Sequence, residues 1–553
     1  MMLKDTLANL VIKAAEAAQQ AGKLPAVSLP EVTIEHPQNA GHGDYAASIA
    51  LKLARAIGMN PLTIAQVIAD AIAPTPEIES ISVAPPGFIN FTLKGDWLTG
   101  QVGEILAAGD RYGNLDLGQG KKVQIEFVSV NPTGPLHVGH GRGAILGSAL
   151  ASVLGAAGYD VTREYYINDA GNQVQTFYRS LDARYQQLQG REAEIPADGY
   201  FGGYVTDLAK EIDAEDGKSF QGLSAEAVTE KLGKIGLQKM IAQIKADLEL
   251  LGVTFEVWFS EQSLYDGGKY EEATSLLRKG GYIVEKENAT WLVSTALGED
   301  KDNVIIRSDG TPTYFAADIA YHFDKFLARK FDQVIDIWGA DHLGHVSRMK
   351  VVVGALGIDP ERLKVIISQM VTLRRGGETV RVSKRSGDII TLRELVEEVG
   401  ADACRFFFLC RSADSQMDFD LELAKKQAPD NPVYYVQYAH ARIASILRLA
   451  AERKVSDDGG DISLLTSEPE MTLIRKMILL PEIMELIAVT LEPHHLTYYA
   501  QDLATVFHGF YKDCRVVSDD AALTKARLKL VKAAKIVLSR TLGLMGMNAP
   551  ETM

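Results

Sequence analysis

The chain is poor in cysteine: 553 residues hold three, Cys404, Cys410 and Cys514. No Cys-x-x-Cys pair occurs, so a thiolate zinc site is not expected, and the odd, wide spacing argues against a disulfide framework. Long apolar runs are missing too. Nothing approaches the ~20 residues of a membrane span. Lys4, Asp5, Lys13 and Glu16 interrupt the N-terminal periodic segment, which excludes a signal-peptide core. A cytoplasmic, membrane-free protein is the expectation. An excess of positive charge is also lacking, since 57 Lys and Arg face 72 Asp and Glu, a net −15. That balance argues weakly against nucleic-acid binding, because local basic surfaces matter more than net charge. One basic stretch exists, Lys525, Arg527, Lys529, Lys532, Lys535 and Arg540, and taken alone it reads as a solvated helix face.

What is present is an ordinary globular composition, 46% hydrophobic and 23% charged. The chain exceeds what one core of roughly 250–300 residues can organise, so several domains are expected. Residues 1–118 begin with an amphipathic helix and then mix helices with short strands such as Gly87–Leu93. A polar, Gly-rich linker, Asp116–Lys122, follows. From there to 419 buried strands alternate with helical text: Val123–Val130, then VTREYYIN, Gln333–Asp341 and Leu363–Met370. This pattern predicts an α/β, doubly wound parallel sheet of Rossmann type. A polar, mostly helical insertion is expected at about 174–302. Residues 420–553 show helical apolar spacing throughout and predict an all-helical domain. The short stretch Asp457–Ser467 reads as disordered.

The most informative text is FVSVNPTGPLHVGHGRG, Phe127–Gly143. A buried strand ends, a turn with two prolines follows, and a Gly-rich helix begins. Helix N-termini at the carboxyl edge of such a sheet suit phosphate. His137 and His140 fall on one face of the first turn and can donate hydrogen bonds to a triphosphate. Gly139 leaves room for an adenine ring. A second His-x-Gly-His, His342–His345 in WGADHLGHVSR, also follows an apolar strand. About 0.02 such matches would arise by chance from this composition, so two are not accidental. No Gly-x-Gly-x-x-Gly with an acidic partner follows a strand, which disfavours a dehydrogenase.

The first motif resembles the HIGH signature of class I aminoacyl-tRNA synthetases. Arg381–Arg385, RVSKR, resembles their second signature, a mobile Lys-Met-Ser-Lys-Ser loop. The resemblance assigns His137, His140 and Lys384 to catalysis, and Gly139, Gly141, Ser383 and Lys384 to ATP. Flanking glycines suit a hinged lid whose cation follows the departing pyrophosphate.

Class membership leaves the amino acid open. SVNPTGPLHVGH, TPTYFAADIAYH, WGADHLGH, DNPVYYVQYAHARI and the C-terminal text resemble bacterial arginyl-tRNA synthetases over nearly the whole chain. A guanidinium needs planar carboxylates and a flat surface to stack on. By resemblance Glu261, Tyr314 and Asp318 face the substrate side chain, Asn131 its main-chain groups, and Asp341 adds a further carboxylate. Tyr314 and Asp318 are four apart, which puts them on one helix face. The helical domain is implied to read the anticodon. Rings in Tyr434, Tyr435, Tyr438, His440, Phe510 and Tyr511 lie near Arg442, Lys512 and Arg515, with Tyr438 and Tyr511 as the leading contacts. The N-terminal domain is implied to bind the tRNA elbow through Asn90. The expected partners are L-arginine, tRNA(Arg) and ATP with Mg²⁺. No zinc and no organic cofactor are expected, and a monomer is. The family's usual need for bound tRNA before arginine is activated is a further implication.

Overall fold

The computed structural model describes residues 2–380 and 390–553. Residues 3–93 place helix Leu3–Gln20 and two shorter helices beside a four-stranded antiparallel sheet. The segment read as a linker is docked. Gly118 N and Gly120 N donate to the carbonyls of Ala157 and Gly158 at 3.0 and 2.8 Å.

The central sheet has five strands, β1 Lys122–Glu126, β2 Asp160–Ile167, β3 Val257–Ser260, β4 Gln333–Gly339 and β5 Leu363–Ser368, in spatial order β5-β4-β1-β2-β3. Every pairing is parallel. The order runs outward from β1 to β3, then restarts on the other side with β4. The crevice between β1 and β4 is therefore the switch point, where ligands bind in such sheets. Both faces of β1 are covered: Val123, Ile125 and, just past its end, Phe127 are wholly buried on one, and Gln124 and Glu126 are buried on the other. Helix α1, Val138–Ala156, follows β1 and packs so closely that a Cβ at Gly147 would lie 2.2 Å from the Phe127 ring.

The expected insertion is shorter than its reading. Helices Asn172–Leu188, Gly203–Asp216 and Ala225–Leu250 share their own apolar cluster, with Phe177, Leu181, Leu232 and Met240. Then β3 rejoins the main sheet, so a core strand lies inside the 174–302 range. Its four residues make a short strand soon after a long helix, too brief to stand out as an element. Helix α2, Tyr314–Phe323, precedes β4 and ends in one wide turn of i→i+5 type, Asp324–Ala328.

The C-terminal part is helical, as expected: α3 Pro432–Glu452, two shorter helices, α4 His495–Asp513 and α5 Ala521–Leu544. Asp457–Ser467, read as disordered, is held instead. Lys525 donates to the Asp458 carbonyl, Lys529 to the Gly460 carbonyl and Lys532 to the Asp457 carboxylate. Leu465 is wholly buried. The basic stretch is therefore not a solvated face. Arg527 pairs with Glu470, Lys535 with Glu551, and Arg540 donates to Asn114.

One apolar cluster runs from Leu7 in the first helix to Met547 near the C-terminus. At its centre Arg405, 1% exposed, donates to the carbonyls of Leu251, Gly252 and Met545. Burial lowers its guanidinium to about 10.

Candidate active site and tRNA-facing surface

At the β1 end of the switch point, His137 caps α1. Its Nδ1 accepts from Gly139 N at 3.1 Å, and His140 Nδ1 accepts from His137 N at 3.2 Å. The two rings stack with centroids 3.4 Å apart. Both rings use Nδ1 as acceptor, an arrangement that directs Nε2 outward as the donor. A Cβ at Gly139 would meet the His137 ring at 3.1 Å, so this glycine permits the stack. Gly141 differs from its expected ATP contact: it is buried, and a Cβ there would lie 2.7 Å from Leu392 Cδ1. Buried Arg142 donates to the carbonyls of Gln369, Ser412 and Ser415. Ser383 and Lys384 lie outside the described residues. The chain that follows them returns to the cleft, where Leu392 N donates to Leu136 O at 2.8 Å and Thr391 bridges His137.

The acidic side of the cleft gathers residues that follow β3 and β1 and residues from the first turns of α2. Glu261 follows β3 and is 6% exposed. Burial, then Asp318, then Asp169 push its carboxyl up to about 7, against hydrogen bonds from Tyr166 and Tyr265. Asp318 is one turn along α2 from Tyr314, and its Oδ2 lies 2.9 Å from His345 Nε2. Tyr314 opens α2 with 55% of its surface exposed. Asn131 donates to Gln173. Asp341 stands at the rim of the group, where its charge, behind that of Asp318, helps raise the Tyr314 phenol. Its side chain is 82% exposed, sits 3.5 Å from His342, and lines a cavity of about 440 Å³ with Tyr314, His345 and Arg348.

Three residues at the β2 end escaped the sequence reading. Tyr166 is buried, and burial, Glu261 and Asp318 raise its phenol strongly. Asn168, with its NH₂ toward the carboxylate, donates to Glu261 at 2.9 Å. Asp169 accepts from Ser260 Oγ at 2.6 Å and Gln262 N at 3.1 Å. Their signal was position: each lies at or just past the carboxyl end of a parallel strand.

Beneath the cleft lies a buried set of charges. Lys325 contacts Glu126 at 2.5 Å and Asp336 at 2.9 Å, and Asp336 faces His322 at 3.0 Å. Burial opposes the charge on Lys325, but Asp336 and Glu126 hold its ammonium above the ordinary range.

In the helical part, Arg442 lies between the Tyr438 and Tyr511 rings, 4.5 and 4.6 Å from their centroids. Tyr438 stacks on Tyr434, and Tyr511 is 42% exposed. Two expected ring contacts face inward instead. His440 and Phe510 are 2% and 1% exposed, with His440 Nδ1 at 2.9 Å from Pro550 O. Asn90 is likewise interior, 3% exposed on the strand Phe88–Leu93. Among the described residues, Glu492, His494 and His495 form the one group of three with metal-ligand spacing, and it contains no thiol. It sits at the N-terminal end of α4, where the helix dipole disfavours a cation.

A parallel sheet with a His-capped helix at its switch point, matched over residues 101–411 by the model for class I (R) tRNA synthetase catalytic domains, defines the class: a class I aminoacyl-tRNA synthetase. The arginyl-tRNA synthetase N-terminal domain matches residues 3–93, and the DALR anticodon-binding domain matches 436–553. A relative from Dehalococcoides mccartyi (strain CBDB1), named arginine–tRNA ligase, is 59% identical over 553 residues, 100% of this chain and 99% of that one. One of the same name from Carboxydothermus hydrogenoformans is 49% identical, covering 97% of each chain. The solved Thermus thermophilus arginyl-tRNA synthetase shares the fold, with TM-score 0.78 at 23% identity over 100% of both chains. The chain belongs to the arginyl-tRNA synthetase family.

Proposed function

We propose that the chain activates L-arginine with ATP and esterifies it to the terminal adenosine of tRNA(Arg), through the residues gathered at the switch point. One observation carries the reading. A pair of stacked imidazoles caps the helix after β1, and two carboxylates and an exposed tyrosine gather at the same carboxyl edge of the sheet. The first half suits a triphosphate and the second a guanidinium.

The arginine carboxylate attacks the ATP α-phosphorus, the bond to the β-phosphate oxygen breaks, and pyrophosphate leaves. A hydroxyl of the terminal adenosine then attacks the acyl carbon and AMP departs. No protein nucleophile is needed, so positioning and charge stabilisation carry the rate. His137 and His140 donate from Nε2–H to the phosphates, beside Gly139. Ser383 and Lys384 are assigned to the leaving pyrophosphate on motif resemblance. Glu261 and Asp318 receive the guanidinium, Tyr314 covers it, and Asn131 meets the main-chain end. Asp341 belongs to the rim. Magnesium enters with ATP as part of the substrate, and zinc has no role.

Tyr438 and Tyr511 are assigned to anticodon bases. Asn90 is not carried forward, because its amide is interior. We divide the chain at 118/119 and 419/420, with the insertion ending before β3. The reaction is assigned to the cytoplasm. Among the described residues no helix is long and apolar enough to cross a membrane. Both walls of the cleft come from one chain, which supports a monomer as the working unit. Charging of purified tRNA with each of the twenty amino acids tests the reading. Charging with arginine alone is expected, and its absence would overturn it.

A further inference from the structure

Neither substrate subsite uses the buried charges beneath the cleft. Lys325 is wholly buried and sits on the wide turn Asp324–Ala328 that continues α2. Such single i→i+5 turns are rare and recur at functional sites. The ammonium joins Glu126, the last residue of β1, to Asp336 in β4. These strands flank the switch point.

Two chains of hydrogen bonds lead away from this lysine. One runs toward the phosphate side. Glu126 takes a hydrogen bond from the Ser129 hydroxyl, and Ser129 Oγ accepts from Tyr166 N at 3.1 Å. Val128 and Ser129 stand at φ 70° and 43°, the left-handed region that a β-branched residue rarely enters. This turn delivers the chain to Asn131 and His137, and Glu126 restrains it through Ser129, beside the Tyr165 hydroxyl that bonds Val130 N and O at 3.1 and 2.8 Å. The other chain runs toward the guanidinium side. Asp336 Oδ2 lies 3.0 Å from His322 Nε2, and His322 Nδ1 lies 2.8 Å from the Asp318 carbonyl. Each ring nitrogen of His322 thus meets an oxygen, one on β4 and one on α2. The backbone of Asp318 is thereby fixed to β4.

We propose that Lys325 is a positioning residue that sets the spacing between the phosphate-binding turn and the guanidinium-binding helix, through Glu126 on one side and Asp336–His322 on the other. This rests on the assignment of His137 and His140 to ATP and Asp318 to arginine. Two carboxylates face one ammonium in the interior, and His322 joins the second of them. Removing one member strands a buried charge, and the elements carrying the others must move to relieve it. A merely stabilising set would lower the melting temperature without separating the two substrates kinetically.

The test is steady-state aminoacylation at saturating tRNA, with Glu126→Gln, His322→Gln, Lys325→Met and, as control, Asp318→Ala. Glu126→Gln should raise the ATP KM roughly tenfold or more, since small misplacements of reacting groups are costly. Its arginine KM should stay within about twofold, as expected when the lost contact serves one substrate. His322→Gln should show the opposite split, and Lys325→Met should raise both. Equal changes in the two KM values for Glu126→Gln and His322→Gln, or early melting with both KM values retained, would overturn the proposal. An Asp318→Ala enzyme with unchanged arginine KM would instead sink the assignment of the site. A raised arginine KM there without the split elsewhere sinks the Lys325 role alone. If Lys325→Met does not fold, the two near-isosteric variants decide the matter.

Discussion

His345 Nε2 stands 2.9 Å from Asp318 Oδ2, so the last histidine of the second His-x-Gly-His turn is tied to the acidic wall of the cleft. Each side chain is 16% exposed. The imidazole orients the carboxylate between α2 and the turn after β4. A charge-assisted hydrogen bond of this kind contributes about 1.5 kcal/mol, which corresponds to roughly tenfold in binding. His345→Ala should therefore raise the arginine KM by about that factor and leave the ATP KM in place. Comparable rises in both would show that the pair serves the whole cleft and not the side-chain pocket.

Glu261 makes the pocket sensitive to pH. Its carboxyl is pushed up to about 7, first by burial, then by Asp318 and Asp169. Below that value it holds a proton, and a guanidinium must displace it. Arginine affinity should rise with pH through the neutral range, by up to about tenfold per unit below the pKa. Calorimetric titration at pH 6 and pH 8 measures this, and Glu261→Gln should abolish the slope.

The same group affects stability with a definite sign. The unfolded carboxyl titrates near its ordinary value of 4.5, the folded one near 7. Between them the native state binds more protons, so stability falls as pH rises through that window and stays reduced above it. The full loss is about 3 kcal/mol as an order of magnitude. Urea melts of the wild type and Glu261→Gln at pH 5 and pH 8 should converge at the lower pH and differ at the higher, with the variant more stable. A wild type equally stable at both would remove the assignment of a raised carboxyl.

Two glycines in one helix should respond in opposite directions. A Cβ at Gly147 would enter the Phe127 ring, whereas Gly155 has nothing within 4 Å. Gly147→Ala should destabilise by about 1–3 kcal/mol through overpacking. Gly155→Ala should stabilise by up to about 1 kcal/mol through helix propensity. Denaturant midpoints of the two proteins check both signs.

The cations of α5 and the rings near Arg442 separate by salt. Lys529 is spent on the Gly460 carbonyl, so Lys529→Met should lower the melting temperature while leaving the salt slope of tRNA binding unchanged. Tyr511→Ala removes an exposed ring face and should weaken tRNA binding by about 1–3 kcal/mol. A flattened salt slope in the lysine variant would return α5 to the tRNA surface.

The parallel sheet and both His-x-Gly-His turns were legible because buried strands and Gly-rich helix starts leave local signatures. His137, His140, Glu261 and Asp318 could be named, but their mutual placement could not. It depends on the strand order, which puts β4 beside β1 although some 200 residues separate them. Lys325 and His322 were invisible for the same reason: in the text they are polar residues of a helix, and only the sheet beneath makes them interior. Asp457–Ser467 misled in the reverse sense. Its polar, glycine-bearing text gives no local order, and the lysines that hold it come from a helix far along the chain.

Arg405 bears on how such a protein can be taken apart. One guanidinium closes hydrogen bonds to the end of the inserted helices and to the C-terminal turn, inside an apolar cluster that also includes the first helix. The parts are thus not beads on a string. A calorimetric scan should give one transition in place of three, and a fragment cut at either boundary would carry a bared apolar face into water. The anticodon-side helices are welded in place, and their transplantation onto another catalytic core would need the seam as well as the module.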